Sequence, residues 1–98
     1  MAEDRERPPC LLVLGGHDPT GGAGILADAE AAAALGAHPV TLVTALAAQD
    51  THGVHAWRAA DPGDLVRQGR VLLADVAVRA CKVGLVPDPA VAAALAEV

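Results

Sequence analysis

The sequence predicts an α/β protein whose mainly parallel sheet is covered by helices on both faces. Short apolar runs alternate with alanine-rich or amphipathic segments in the order β-α-β-(β)-α-β-α, which is typical of this class. The first run, residues 10–14, is apolar throughout, as expected for a strand buried on both faces. A glycine-rich loop joins that run to the next helix, and ligands of open α/β sheets bind at such an edge.

The predicted elements follow one another with short connections. In chain order they are a flexible tail (1–9), a strand (10–16), a loop (17–22), a helix (23–35), a strand (40–48), a short strand or edge hairpin (54–58), a helix from residue 61, a strand (76–84) and a helix from residue 88. The sequence thus predicts one folded unit over residues 10–98.

Local signals justify the boundaries of these elements. Alanine favours the first helix, and Gly36 is a stop signal after it. Asp61 followed by a proline predicts an N-cap, with the second carboxylate of Asp64 at the third helical position. A second Asp-Pro pair begins the last helix. Four residues of the middle helix are expected to point inward: Leu65, Val66, Leu72 and Leu73.

Composition limits the function classes. The 98 residues are 53% hydrophobic but only 1% aromatic, so alanine dominates the core and buries little area. We therefore expect the N-terminal part of a larger domain, since the last helix also ends without a cap. The net charge of −5 argues against nucleic-acid binding. The charged N-terminus and the lack of a long apolar run argue against a membrane role and predict a cytoplasmic protein.

The two cysteines give no sign of a metal site. Cys10 and Cys81 lie far apart in the sequence, each within an apolar run, and no Cys-x-x-Cys spacing is present. Both are predicted to be buried free thiols in a reducing compartment.

The glycine-rich segment at residues 15–25 (GGHDPTGGAGI) is the strongest functional signal. Five glycines in ten residues are typical of a loop that lets a ligand approach main-chain N–H groups. A P-loop is excluded, because Gly21 is followed by Gly22-Ala23 instead of lysine and a hydroxyl residue.

Two kinds of ligand remain open for this loop. The spacing of Gly22, Gly24 and Ala27 fits a dinucleotide fingerprint, but it begins six residues after the strand. The carboxylates of Asp18 and Asp28 would also oppose a pyrophosphate. A polar, uncharged small molecule with a hydroxyl group fits better, because carboxylates accept its protons.

Four segments carry a closer resemblance. They are residues 16–25 (GHDPTGGAGI), 27–28 (AD), 44–51 (TALAAQDT) and 82–85 (KVGL). In this order and spacing they resemble the hydroxymethylpyrimidine/phosphomethylpyrimidine kinases of thiamine biosynthesis, members of the ribokinase superfamily. The resemblance covers about residues 10–98. It implies the N-terminal part of a ribokinase-like three-layer α/β/α sandwich in an ATP-dependent kinase.

The resemblance also implies a substrate, 4-amino-5-hydroxymethyl-2-methylpyrimidine or its monophosphate, and residues that bind it. The Gln49 amide would contact the pyrimidine, because it offers both a donor and an acceptor. Ala47 shares a strand face with Gln49 and could line the ring pocket. The predicted substrate-binding residues are Gly22, Ala23 (through its backbone), Asp28, Ala47, Gln49 and Leu85.

Several of these positions also have purely structural interpretations. Asp28 could be a solvated residue near the start of the helix, favoured there by the helix dipole, and Gln49 could be a solvated residue at a strand end. Asp18 is expected to fix the loop by accepting backbone N–H bonds. Lys82 and His17 are expected to play structural and loop-packing roles.

No catalytic residue is predicted in this chain. In the family, the anion hole, the catalytic residue and most of the nucleotide site follow in the C-terminal half. The resemblance implies ATP and Mg²⁺ as co-substrates of a homodimeric parent enzyme, with none bound by the 98 residues alone, which should be inactive. Two alternatives remain. One is a pyridoxal kinase of the same superfamily, and the other is a non-catalytic dinucleotide-binding or regulatory fragment.

Overall fold

Residues 7–98, which the computed structural model describes, form one four-stranded sheet and three helices. The elements are β1 (Cys10–His17), α1 (Gly24–Ala34), β2 (His38–Gln49), β3 (Val54–Ala59), α2 (Pro62–Asp75), β4 (Val78–Val83) and α3 (Pro89–Glu97). The predicted order of elements is confirmed, and the uncertain segment after β2 is a strand. The predicted tail falls mostly on residues 1–6, which lie outside the described residues.

The strand order places the first strand in the middle of the sheet. The order is β3-β2-β1-β4, with β1 parallel to both β2 and β4 and with β3 antiparallel to β2 at one edge. Cys10 lies opposite His38 on one side and opposite Val78 on the other. The carboxyl ends of β1, β2 and β4 therefore meet at one edge of the sheet, because these strands are parallel.

Helices cover both faces of this sheet. Leu12 and Leu14 of β1 belong to a buried cluster with residues of α2 and α3. On the opposite face, Gly15 lies against α1: a Cβ added at this glycine would be 3.2 Å from Cγ2 of Ile25. The three-layer arrangement is thus a consequence of strand alternation, which sends successive side chains of β1 to opposite helices. The main cluster consists of Leu12, Leu14, Leu42, Leu65, Val91 and Ala94.

The helix starts differ in how their N–H groups are satisfied. The Asp61 carboxylate accepts a hydrogen bond from the Asp64 N–H at 3.0 Å, and Asp88 accepts one from the Val91 N–H at 2.8 Å. Both predicted Asp-Pro helix starts are confirmed. Helix α1 instead begins after Ala23, which offers no capping side chain. Its start depends on the preceding loop.

The burial predictions for Cys81, Cys10 and Leu73 are wrong, for separate reasons. Cys81 is exposed, because β4 forms an edge of the sheet in the described part of the chain, and most of its residues face solvent. Cys10, in the middle strand, is half-buried. Leu73 is also exposed, because it lies on the outer side of α2 while Leu72 packs against the core.

The remaining differences are shifts of element ends. Strand β2 begins at His38, two residues before the expected start, and β4 is shorter than residues 76–84. The His38 N–H donates to the Pro9 carbonyl at 2.8 Å, which extends the parallel ladder one residue before β1. No helix within residues 7–98 is long and apolar enough to cross a lipid bilayer.

Replacing Leu42 by alanine tests the core. Leu42 is 1% exposed within the main cluster, so Leu42→Ala should lower the free energy of unfolding by about 2–5 kcal/mol. The matched control is Leu35→Ala at the end of α1, where the leucine is 88% exposed and the change should be within about 0.5 kcal/mol. Urea denaturation measures both, and equal midpoints for the two variants would contradict the assignment of the core.

Candidate functional site

A cavity of about 560 Å³ opens at the carboxyl ends of the parallel strands. Its walls come from the loop after β1, the start of α1, the ends of β2 and β3, and the turn after β4. The lining residues are Gly15, Gly16, His17, Asp18, Ala23, Gly24, Asp28, Ala45, Ala47, Val54, Trp57, Lys82, Gly84, Leu85, Val86 and Pro87. The glycine-rich loop, the strongest signal in the sequence, thus forms a wall of this cavity.

A second concavity, of about 850 Å³, lies beside β2 and the starts of α2 and α3. It is larger, but it lies away from the glycine-rich loop. Two of its carboxylates, Asp61 and Asp88, already accept helix N–H bonds as N-caps. We therefore assign the candidate site to the smaller cavity.

Asp18 holds the glycine-rich loop in place. Its side chain is 5% exposed; Oδ1 accepts hydrogen bonds from the Thr20 N–H at 2.9 Å and the Thr20 hydroxyl at 2.8 Å. Oδ2 accepts a third bond, from the Ala23 N–H at 3.1 Å. The expected loop-fixing role of Asp18 is confirmed. The Thr20 N–H and hydroxyl bonds lower the pKa of Asp18, with smaller contributions from the N–H groups of Ala23 and Gly22.

Gly24 brings the start of α1 against the end of β1. Its φ is +68°, a conformation that favours glycine, and a Cβ at this position would overlap the carbonyl oxygen of Gly16. The same Cβ would lie 3.4 Å from the Asp18 nitrogen. Only a residue without a side chain lets the helix begin this close to the cavity.

Two hydrogen bonds fix the turn after β4. The Gly84 N–H donates to the Leu14 carbonyl at 2.6 Å. The Thr44 hydroxyl donates to the Leu85 carbonyl at 2.6 Å, across the end of β1. Thr44 is fully buried, and sequence reasoning gave it no separate role. The available signal was a hydroxyl within an apolar strand, since a buried hydroxyl requires a partner.

Asp28 and Lys82 form an ion pair at the cavity wall. The Lys82 Nζ lies 2.7 Å from Oδ2 of Asp28, and the two side chains are 51% and 25% exposed. Asp28 lies in the second turn of α1, which begins at Gly24. The dipole effect falls off within the first turn, so the helix dipole does not account for this carboxylate.

The predicted binding residues divide into two groups. Four of them line the cavity: Ala23, Asp28, Ala47 and Leu85. Gly22 is exposed on the loop, outside the lining. Gln49 is half-buried at the end of β2 and also lies outside it. The register irregularity between Ala48 and Gln49 leaves the extra residue, His55, on β3, and the alternation of burial along β2 continues through Gln49.

Sequence reasoning missed the contribution of β3 to the cavity. Trp57 and Val54 line it from this edge strand, and both are exposed. The signal available in the sequence was that Trp57 is the only aromatic residue of the chain. His17, expected to pack within the loop, is half-buried and lines the cavity as well.

Comparison with known proteins identifies the family. Residues 18–98, most of the chain, match the family model described as phosphomethylpyrimidine kinase. The chain belongs to the phosphomethylpyrimidine kinase family.

Two curated relatives of this family illustrate the similarity. The chain is 37% identical over 86 residues to the hydroxymethylpyrimidine/phosphomethylpyrimidine kinase of Escherichia coli K12, covering 88% of this chain and 32% of the relative. It is 39% identical over 92 residues to the protein of the same name from Streptomyces coelicolor, covering 92% and 34%. The chain thus spans about a third of the length of these kinases.

Solved structures confirm the ribokinase-like three-layer fold. Phosphomethylpyrimidine kinase from Clostridium difficile 630 superposes with a TM-score of 0.84 at 33% identity, covering 93% of this chain and 39% of that one. Bacillus subtilis pyridoxal kinase, solved as an ADP complex, gives a TM-score of 0.74 at 26% identity, covering 83% and 32%.

The described part of this family member offers no evident metal site. Within residues 7–98, no group of three or more His, Cys, Asp or Glu side chains is placed to hold a metal ion. The carboxylates of Asp18 and Asp28 are instead engaged by protein donors.

Substituting Gly24 tests the close approach at the cavity. Gly24→Ala should destabilise the protein more than Gly36→Ala. Both glycines have positive φ, which costs an alanine about 1–2 kcal/mol, but nothing lies within 4 Å of a Cβ at Gly36. The larger loss of stability is expected in Gly24→Ala because the alanine methyl group would overlap the Gly16 carbonyl. Urea denaturation measures the stability of both variants. An equal loss in Gly36→Ala would contradict the prediction.

The Asp18 hydrogen bonds predict an acid dependence of stability. The pKa of Asp18 is lowered from the ordinary value of 3.8, so the unfolded chain binds the proton more readily. The stabilisation is complete above that value and is lost as the pH falls through the lower folded-state pKa. Asp18→Asn should thus lower the urea midpoint at neutral pH, and its difference from wild type should shrink at about pH 3. A difference that grows on acidification would refute this assignment.

Proposed function

We propose that the protein containing this chain is an ATP-dependent kinase of 4-amino-5-hydroxymethyl-2-methylpyrimidine and of its monophosphate. The supporting observation is the cavity formed by the glycine-rich loop at the carboxyl edge of the sheet, in a chain that belongs to the phosphomethylpyrimidine kinase family. The names of the curated relatives give both substrates, the hydroxymethyl and the phosphomethyl compound. The chain would supply the part that binds the pyrimidine.

The cavity is suited to a small flat ring with polar substituents. Its lining at the ends of β1 and β2 consists of small residues, among them Gly16, Ala45 and Ala47, which leave room beside the backbone. Leu85 adds an apolar surface from the turn after β4. Asp28 adds a carboxylate that can accept a hydrogen bond from an amino or hydroxyl group.

Three of the proposed contacts can be refined. The Ala23 N–H already donates to Asp18, so we propose that Ala23 meets the ring through its methyl group. Gln49 would reach the pyrimidine with its amide only if the side chain turned toward Ala47. Gly22 lies on the exposed part of the loop, so its contact would be with the solvent side of the ligand.

Nucleotide binding and phosphoryl transfer belong to other parts of the proposed enzyme. Phosphoryl transfer depends on positioning and on electrostatic stabilisation of the moving phosphate. The family resemblance implies that the nucleotide site and the catalytic residue follow in the C-terminal half, so we assign ATP, the metal and the catalytic base to the remainder of the complete protein. We further propose a homodimer in the cytoplasm, and no activity for the 98 residues alone.

Pyridoxal kinase is the second candidate function. The superposition on Bacillus subtilis pyridoxal kinase favours it, although its TM-score and identity are below those of the Clostridium difficile protein. Pyridoxal also carries a hydroxymethyl group on an aromatic ring. The two functions differ in the preferred alcohol, which a direct competition reveals.

A coupled assay of ADP release tests the proposal. The complete protein should turn over the pyrimidine alcohol, and an equal concentration of pyridoxal should compete poorly, because the amino group of the pyrimidine meets Asp28. The 98-residue chain should show no turnover. Preference for pyridoxal would replace the proposed function with the second candidate.

Gln49→Ala tests the amide contact. It should weaken binding of the pyrimidine alcohol by about 1–3 kcal/mol, because polar groups of the ligand lose their partner. The matched control is Gln68→Ala, since Gln68 is an exposed glutamine of α2 beside the other concavity. Calorimetry on the complete protein measures both affinities, and equal affinities would remove Gln49 from the site.

A further inference from the structure

We infer that Lys82 is a positioning residue for the substrate: its ammonium group holds Asp28 by one carboxylate oxygen and leaves the other free to face the ligand. The inference rests on the proposed function. The chain has no other lysine, and the same cavity is lined by both members of the pair.

The two oxygens of the Asp28 carboxylate differ in their hydrogen-bond partners. The Lys82 Nζ donates to Oδ2 at 2.7 Å. Among the described residues, no hydrogen bond to Oδ1 of Asp28 is formed. A carboxylate oxygen without a protein donor at a cavity wall is available to accept a hydrogen bond from an amino or hydroxyl group.

The location of the ammonium group explains how it reaches the site. Lys82 lies near the carboxyl end of β4, and its Nζ would be 3.5 Å from a Cβ at Gly84. The ammonium group thus lies beside the turn after β4, at ordinary contact distance from this position. The pair joins α1 to β4, two elements 54 residues apart in the sequence at this contact.

Stability alone does not account for the pair. Ion pairs between partly exposed side chains contribute little to folding, because water screens them and both side chains lose freedom. The consequence of this pair is geometric. Asp28 lies beyond the first turn of α1, where no capping bond orients it, so the ammonium group is what selects its side-chain orientation.

The pair also sets the charge of the cavity. Asp18 is saturated by N–H and hydroxyl donors, and Lys82 balances the charge of Asp28. A bare carboxylate would repel the phosphomonoester form of the substrate. With the lysine in place, both the neutral alcohol and the anionic monophosphate meet a neutral pair.

Four variants of the complete protein test the inference. Lys82→Met removes the ammonium group, and Lys82→Arg keeps the charge. Arg79→Met removes another exposed cation of β4 and serves as the matched control. Combining Asp28→Lys with Lys82→Asp restores an ion pair but moves the carboxylate from α1 to β4.

Removing the Lys82 ammonium group should change substrate binding and leave folding nearly unchanged. Lys82→Met should raise KM for the pyrimidine alcohol about tenfold, the effect of one misplaced charge-assisted hydrogen bond, and KM for ATP should be unchanged. Lys82→Arg should stay within about threefold of wild type, since its guanidinium also binds carboxylates. Arg79→Met should match wild type. The exchanged pair should keep the wild-type thermal midpoint but not the wild-type KM.

Each other outcome contradicts the inference in a recognisable way. Unchanged KM in Lys82→Met, or recovery of KM by the exchanged pair, would reduce Lys82 to a structural role. A loss confined to the monophosphate would make Lys82 a phosphate-binding residue instead. If Lys82→Met does not fold, the exchanged pair alone decides. A wild-type protein that does not phosphorylate the alcohol would overturn the proposed function first, and this inference with it.

Discussion

The backbone of Gly24 approaches the carbonyl oxygen of Gly16 more closely than any side chain would permit. This single approach sets where α1 begins and therefore where Asp28, one turn further on, faces the cavity. On the other side of the same strand end, the Gly84 N–H binds the Leu14 carbonyl, and Leu85 packs near Gly16. The bare end of β1 thus lets two distant segments converge on one cavity. A side chain at Gly24 would push the helix and its carboxylate away from it.

Two aspartates at this edge illustrate how one residue type serves two purposes. Both oxygens of Asp18 accept hydrogen bonds from the loop, including the N–H of Ala23, the residue that precedes α1, so its role is structural. Asp28 meets a single ammonium group and keeps an oxygen for other partners. Both aspartates line the cavity, but they differ in the number of donors around the carboxylate. Asp18 therefore shapes the site, and Asp28 can bind a ligand in it.

Local signals predicted most of the fold, and non-local ones accounted for the errors. The apolar run of β1 and the Asp61 N-cap depend on neighbouring residues, and both were predicted correctly. The exposure of Cys81 depends on the strand order, which no local pattern encodes. In the site, the glycine-rich loop identified the cavity. The bond from Thr44 to Leu85 joins residues 41 apart, and the irregularity before Gln49 depends on pairing with β3, so neither could be predicted from spacing.

The strand order has a consequence for how this chain is made. Strand β1 is synthesised before both of its partners in the sheet, and β4 follows only after β2, β3 and α2. At about 5–20 residues per second, several seconds pass between the emergence of β1 and that of β4. During this interval the most apolar strand of the chain has at least one unpaired edge. An unpaired strand edge is a template for pairing with another chain, so β1 is open to association until β4 has been made.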